Sequence, residues 1–332
     1  MSELKEMLVD VVDKLLKNYV AKETVDLLED GKWAETLWEK LLEQELEKVV
    51  WQGNGGDMED LLTLYERMGY YAAPIPFVEQ TLANIFLESI DVAPFSELVT
   101  FAFDEQLVIE NGTVSGTIPL VRWGRAATSI VIIQRGQMVI VSSEDAEVIS
   151  STNIAAEPRD TVILRAAHAT CHPITAQQFS HYESLYCATL LALMTGAITR
   201  AVELAIQFSK ERQQFGQPVH RFQLVQQHIA QLAGERAIAT VALENVMVTM
   251  QERAILCARL RLDEAARIVA TSAHQVHAAI GVTFEHSLHH ATRRLWAWRD
   301  EGPSIADVSA QLTDIFLANE QDVWAFLTKG DM

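Results

Sequence analysis

Cysteine is scarce in this chain of 332 residues: Cys171, Cys187 and Cys257 are its only three, with no C-x-x-C spacing. That excludes a cysteine zinc site and points to a reducing compartment. Basic charge is short as well. With 26 Lys and Arg against 45 Asp and Glu the formal net charge is −19, which argues against nucleic acid, because phosphate contacts need a basic surface. No uninterrupted apolar run reaches the ~18 residues of a membrane span, so no membrane insertion is expected. The N-terminal residues lack the basic-then-apolar order of a signal peptide. The expected location is cytoplasmic. The glycine-rich tract at 52–57 lacks the Lys-Ser/Thr of a phosphate-binding loop, and Ser272, Cys187 and Cys257 carry no nucleophile signature.

What is present is a hydrophobic fraction of 49% arranged in three successive patterns. Residues 1–95 are helical. Leu4, Leu8, Val11 and Leu15 form one stripe, a second helix is expected from Trp33 to Val50, and Asp57 is placed to cap a third that carries Leu61, Leu62, Leu64 and Tyr65. Residues 96–175 switch to short β-branched runs. Leu107-Val-Ile-Glu and Thr113-Val-Ser-Gly flank Asn111-Gly112, a strong hairpin signal, and the runs at 129–133 and 138–141 flank Gln134-Arg-Gly-Gln in the same way. Serial short strands of this kind predict a small antiparallel barrel or sandwich. Residues 176–332 return to long helices, with Leu190, Leu193, Met194, Ala197, Ala201, Leu204, Ala205 and Phe208 on one face. Long helices with short connections predict an antiparallel four-helix bundle. The fold class is α+β, mostly α.

The most informative stretch joins two of these long helices. Gly216 and Pro218 break one helix and let the next begin, bringing Arg212, Gln213, Phe215 and Gln223 to one junction. A cation, amides and an aromatic ring at helix ends suit a flat, anionic ligand. His274, His277, His286, His289 and His290 lie close in sequence, but no carboxylate follows at ligand spacing and no metal is expected.

Six segments, in order over nearly the whole chain, resemble the acyl-CoA dehydrogenase family of flavoproteins. They are Trp38-Glu-Lys-Leu-Leu-Glu-Gln-Glu-Leu with Gly-Gly-Asp-Met-Glu-Asp, Gly69-Tyr-Tyr-Ala-Ala-Pro-Ile-Pro, Val114-Ser-Gly-Thr, Arg212-Gln-Gln-Phe-Gly, Gln275-Val-His-Ala-Ala-Ile-Gly and Glu285-His-Ser-Leu-His-His-Ala-Thr-Arg-Arg. The resemblance implies FAD held between a β-domain and the helical bundle of a neighbouring subunit. By residue match, Arg212, Phe215 and Gln223 contact the adenosine diphosphate half of that flavin. The second motif, usually Gln-x-x-Gly-Gly, reads Gln275-Val-His277-Ala278-Ala279 here, and the alanines disfavour the positive φ and the close approach that glycine permits.

The resemblance also marks departures. The segment that normally lies along the flavin ring reads Leu98-Val-Thr-Phe-Ala-Phe-Asp-Glu, and the later Trp-Ile-Thr/Ser segment is replaced by Val121-Arg-Trp-Gly-Arg. Arg122 and Arg125 are expected to be a solvated pair, with contact to coenzyme A phosphates as the alternative. The family desaturates acyl-CoA thioesters to trans-2-enoyl-CoA with a carboxylate base and a flavin acceptor. Glu301 is the candidate base, with Glu183 the weaker alternative one turn from Tyr186. The implied reading is an FAD-dependent acyl-CoA dehydrogenase of fatty acid or steroid side-chain metabolism. It would act as a homo-oligomer or heteromer and pass electrons to an electron-transfer flavoprotein or similar acceptor. The alternatives are a non-catalytic, FAD-sharing subunit of a heteromeric dehydrogenase and a flavin-free scaffold.

Overall fold

A computed structural model describes residues 3–51, 54–110, 112–318 and 324. Two compact units emerge from it, Met1–Thr189 and Leu190–Met332.

The first unit opens with five helices, α1 (Glu3–Tyr19), α2 (Lys22–Asp26), α3 (Glu35–Glu43), α4 (Met58–Tyr71) and α5 (Phe77–Glu88). On α1 the fully buried positions are Val12 and Leu16, flanked by half-buried Leu8, Val11 and Leu15. The helix expected from Trp33 to Val50 is shorter. It ends at Glu43, Glu45 takes a left-handed conformation (φ 53°), and a 3-10 turn follows at Leu46–Lys48. Burial explains the break, since the turn carries Leu46 and Val49 into the core. Gly56 closes on it from the other side: its N–H donates to the Val49 carbonyl at 3.2 Å, and a Cβ there would lie 2.4 Å from that oxygen. Gln52 and Gly53 lie outside the described residues. Asp57 caps α4 as expected, accepting from the Asp60 N–H at 2.9 Å while the Asp60 carboxylate accepts from the Asp57 N–H.

Seven strands follow: β1 (Val99–Phe103), β2 (Val108–Glu110), β3 (Thr113–Arg122), β4 (Ser129–Gln134), β5 (Gln137–Ser142), β6 (Ala146–Ile149) and β7 (Arg159–Pro173). They form one sheet in the order β1-β4-β5-β7-β3-β2, with β6 also on β7. β2 and β3 pair antiparallel through Glu110 and Thr113; Gly112 has φ 78°, and Asn111 lies outside the described residues. β4 and β5 pair from Gln134 and Gln137 outward, turning at Gly136. One pair departs from the all-antiparallel expectation, β1 running parallel to β4. Ile130, Val131, Ile132 and Ile133 are all fully buried, so β4 is covered on both faces.

α6 (Ala176–Glu211) is continuous from the first unit into the second. It contains an 18-residue window of mean hydropathy 1.5, long and apolar enough to cross a bilayer, but 83% of that window is buried inside the protein, as befits a core helix. In the second unit α6 is followed by a two-residue-strand hairpin, β8 (Gln213–Gln214) and β9 (Gln217–Pro218). Then come α7 (Gln223–Thr249), α8 (Glu252–His277), α9 (Leu288–Arg299) and α10 (Ile305–Ala318). α8 is the hub. It meets α6 through Arg259 and Met194 and through His277 and Phe208, α7 through the Arg261–Glu235 ion pair, and α9 through Asp263 and Arg299.

Candidate functional site

The junction after α6 is built by a tight hairpin. Gln213 pairs with Pro218 and Gln214 with Gln217, leaving Phe215 and Gly216 as the two central residues, both at positive φ (51° and 80°). That is the signature of a type I′ turn, which glycine fills freely and phenylalanine only with strain. The Val219 N–H donates to the Arg212 carbonyl at 2.8 Å and closes the loop. The consequence is a phenyl ring held out at 93% exposure, 6.0 Å from Phe222 and edge-on to it. Phe222 is the N-cap of α7 and supplies no side-chain cap, so the first-turn amides of a 27-residue helix have no such partner. Arg212 is exposed, and its guanidinium has no ion pair among the described residues; Gln223, also exposed, opens α7. A guanidinium with no ion pair among the described residues, helix amides without a side-chain cap and an outward ring are donors and a flat surface of the kind that an anionic, ring-bearing ligand uses.

The second predicted segment lies at the same end of the bundle. The Phe208 ring, one turn before Arg212, stacks on His277 at 4.6 Å. His277 is buried, its Nδ1 paired with the Ala273 carbonyl at 2.7 Å and its ring 4.5 Å from His286, so it faces the core. Gln275, Ala278 and Ala279 are exposed. Ala278 ends α8 at φ 52°, ψ −137°, so the backbone keeps a glycine-type conformation although the residue is alanine. Gly281 is needed for space, since a Cβ there would lie 2.7 Å from that of His277. Relief of the Ala278 strain (~1–3 kcal/mol) outweighs the flexibility added to the unfolded chain (~0.5–1 kcal/mol). Ala278→Gly is therefore expected to stabilise the protein by about 1 kcal/mol in urea unfolding, and a destabilised variant would contradict the assigned backbone.

Burial pushes the His277 imidazole down to about 4, and burial likewise lowers His274 and His286. A depressed folded-state value means the unfolded chain binds more protons between pH 6.5 and 4. Stability from this cluster is thus present above the unfolded value and is lost as pH falls through that window. His277 alone accounts for about 1–3 kcal/mol. Urea midpoints measured from pH 7.5 to 4 should fall, and His277→Gln should flatten the profile.

Glu301, the candidate base, follows α9 and is half-buried. The buried Arg259 guanidinium donates to the carbonyls of Arg299 (2.6 Å) and Glu301 (3.0 Å), capping the helix C-terminus, while Arg299 makes a bidentate pair with Asp263 (2.9 and 2.8 Å). Glu183 belongs to the first unit, half-buried on α6.

In the first unit the segments that depart from the family pattern are packed with the protein's own side chains. On β1, Phe101 and Phe103 lie 5.4 and 5.9 Å from Tyr186, with Phe86 5.3 Å from Phe101 and Phe179 5.9 Å from Phe103. Arg122 and Arg125 are not a solvated pair. Arg122 is buried and ion-paired with Glu79, which is 1% exposed, and Arg125 is held by fully buried Asp160. Alternating apolar runs conceal such pairs, because a cation on a strand reads as solvent-facing until its partner on a distant helix is known. No sequence signal linked Glu79 to Arg122.

The acyl-CoA dehydrogenase C-terminal domain matches residues 187–299. Acyl-CoA dehydrogenase IpdE2 of Mycolicibacterium smegmatis is 24% identical over 305 residues, covering 87% of this chain and 91% of that protein. Among solved structures, a Tcur3481-Tcur3483 steroid acyl-CoA dehydrogenase variant superposes with a TM-score of 0.86 at 19% identity, over 95% of this chain and 98% of that one. The ChsE4-ChsE5 complex of Mycobacterium tuberculosis gives 0.81 at 19% identity, over 97% and 99%. Residues 187–299 thus carry the acyl-CoA dehydrogenase C-terminal domain, and over nearly its whole length the chain is similar in sequence and fold to acyl-CoA dehydrogenases.

Proposed function

We propose that this chain is an FAD-sharing subunit of a heteromeric acyl-CoA dehydrogenase, with residues 1–95, 96–175 and 176–332 as its three lobes. It would present Arg212, Phe215 and Gln223 to the adenosine diphosphate half of a flavin whose ring is held by a related partner. The carrying observation is an asymmetry. The outward hairpin keeps a free guanidinium and a phenyl at 93% exposure, whereas β1 offers Phe101 and Phe103 to Tyr186 instead of polar donors to a flavin ring. The donor set at the hairpin fits a pyrophosphate and adenine; the aromatic packing on β1 does not fit a ring that needs hydrogen bonds. FAD, when bound, supplies the two-electron acceptor for α,β-desaturation of an acyl-CoA thioester. Gln275, with the exposed Ala278–Ala279 backbone, would flank the same ligand, and His277 would set the position of that backbone from within the core.

The Tcur3481-Tcur3483 and ChsE4-ChsE5 structures, to which the fold is similar, support a heteromer of related subunits; such a heteromer would work in the cytoplasm and pass electrons to an electron-transfer flavoprotein or similar acceptor. A second reading, a self-sufficient dehydrogenase with Glu301 as base, is favoured by the Arg259 clamp that fixes the Glu301 turn. Absorbance of the chain purified alone and with a co-expressed family member separates the two. A colourless chain that gains flavin only with its partner supports the shared site. A yellow chain that an acyl-CoA reduces, and that Glu301→Gln silences, overturns it.

A further inference from the structure

A cavity of about 310 Å³ lies within the first unit, between the segment after α2 and the loops joining β3 to β4 and β6 to β7. Its walls are Trp33 and Trp123, whose rings meet edge-to-face at 5.6 Å, with Leu28, Ala126, Ala156 and Pro158 completing an apolar lining. Two cations, Lys32 and Arg125, sit among the lining residues and no carboxylate does; Asp160, ion-paired with Arg125, balances one of them and leaves Lys32 as the uncompensated charge of the lining.

Arg125 is ion-paired with Asp160 and keeps only Nη1 for a guest, whereas Lys32 is not committed to the fold. Asp160 accepts from the Arg125 backbone N–H (2.7 Å) and Nε (2.9 Å), and the Ser151 carbonyl accepts from Nη2 (2.5 Å). This fixes the guanidinium while Nη1 keeps its donors. The exposed Lys32 ammonium has no ion pair among the described residues. Trp123 (φ 53°) and Ala156 (φ 61°), both lining residues, hold left-handed conformations, a strain that clusters at ligand clamps.

We propose that this cavity binds a small planar aromatic carboxylate, its rings against the two indoles and its anion between Lys32 and Arg125 Nη1. The size is at the lower end of ligand pockets, which run from roughly 300 to 1,000 Å³, and suits two fused rings rather than a dinucleotide. The cations disfavour a positively charged guest, which indole faces alone would otherwise attract. All nine lining residues belong to the first unit, so the site is built without any residue of the Arg212 hairpin and is proposed as independent of a flavin.

The test is calorimetric titration of the full chain with 2-naphthoate, with neutral 2-naphthalenemethanol as the control. Naphthoate should bind at least about tenfold more tightly than the alcohol, the difference that a charge-assisted hydrogen bond supplies. Lys32→Gln, an exposed change, should remove roughly five- to tenfold of that affinity. Ala126→Leu, which fills the cavity, should abolish binding with circular dichroism unchanged; should it fail to fold, the Lys32→Gln comparison decides alone. Absence of heat, equal binding of acid and alcohol, indifference to Lys32→Gln, or displacement of naphthoate by riboflavin would each overturn the proposal, the last by making the cavity a flavin-ring subsite.

Discussion

In a complex reconstituted with the flavin-holding partner proposed above, Arg212→Ala should weaken flavin retention by about 10- to 150-fold, the equivalent of the ~1.5–3 kcal/mol carried by a hydrogen bond to a charged group. Phe215→Ala should cost a further ~1–3 kcal/mol if its ring packs on adenine, as aromatic–base stacks do. The two side chains touch one ligand, so their effects need not add. Neither change should alter the stability of the isolated chain by more than about 0.5 kcal/mol, since Arg212 is exposed without an ion pair among the described residues and Phe215 is 93% exposed. That separation makes the experiment decisive. Flavin occupancy is read from absorbance after gel filtration, and stability from urea unfolding of the chain alone. A double variant that retains flavin fully would dismiss the hairpin as a cofactor contact. One that unfolds would show that the ring serves the fold.

How much of this was legible beforehand varies with the range of the interaction. Local signals served well: the Asp57 cap of α4, the two hairpins of the sheet, and the apolar stripe from Leu190 to Ala205 all rest on residues within a few positions of one another. The break at Glu45 was not legible, because periodicity through Leu41, Leu42 and Leu46 continues across it and only tertiary burial of Leu46 and Val49 forces the turn. The Arg212–Gln223 junction was visible because glycine and proline punctuate it. Its outward-held ring was not, since a left-handed phenylalanine at a type I′ turn runs against local preference. At 278 the sequence suggested loss of a glycine backbone, yet Ala278 adopts that backbone all the same. The neighbouring contacts, His277 against Phe208 and the close approach of Gly281, hold the conformation more strongly than the methyl opposes it.

The Arg122–Glu79 pair carries the largest expected effect on stability and bears directly on function. Glu79 lies in the first turn of α5, where the helix dipole favours a carboxylate, and it accepts from Arg122 Nε. Arg122 ends β3 with its guanidinium 5.9 Å from the Tyr186 ring centroid, and its backbone carbonyl accepts from Thr100 Oγ1 at 2.6 Å. Glu79→Leu removes a fully buried counter-charge from a cation that is itself only 8% exposed, so it should destabilise the chain by about 3–5 kcal/mol. Because the pair is buried, added salt should change that loss little. Glu79→Leu combined with Arg122→Met should recover most of the loss, since both charges then leave the interior together. The same double variant separates structure from ligand contact. Arg122 occupies the stretch where the family resemblance places a flavin-side segment, and a purely structural pair predicts that the stable double variant still assembles with its partner and retains flavin. Recovery of stability without recovery of flavin would instead make Arg122 a ligand contact, and the aromatic packing around Tyr186 would then be the wall of a working site.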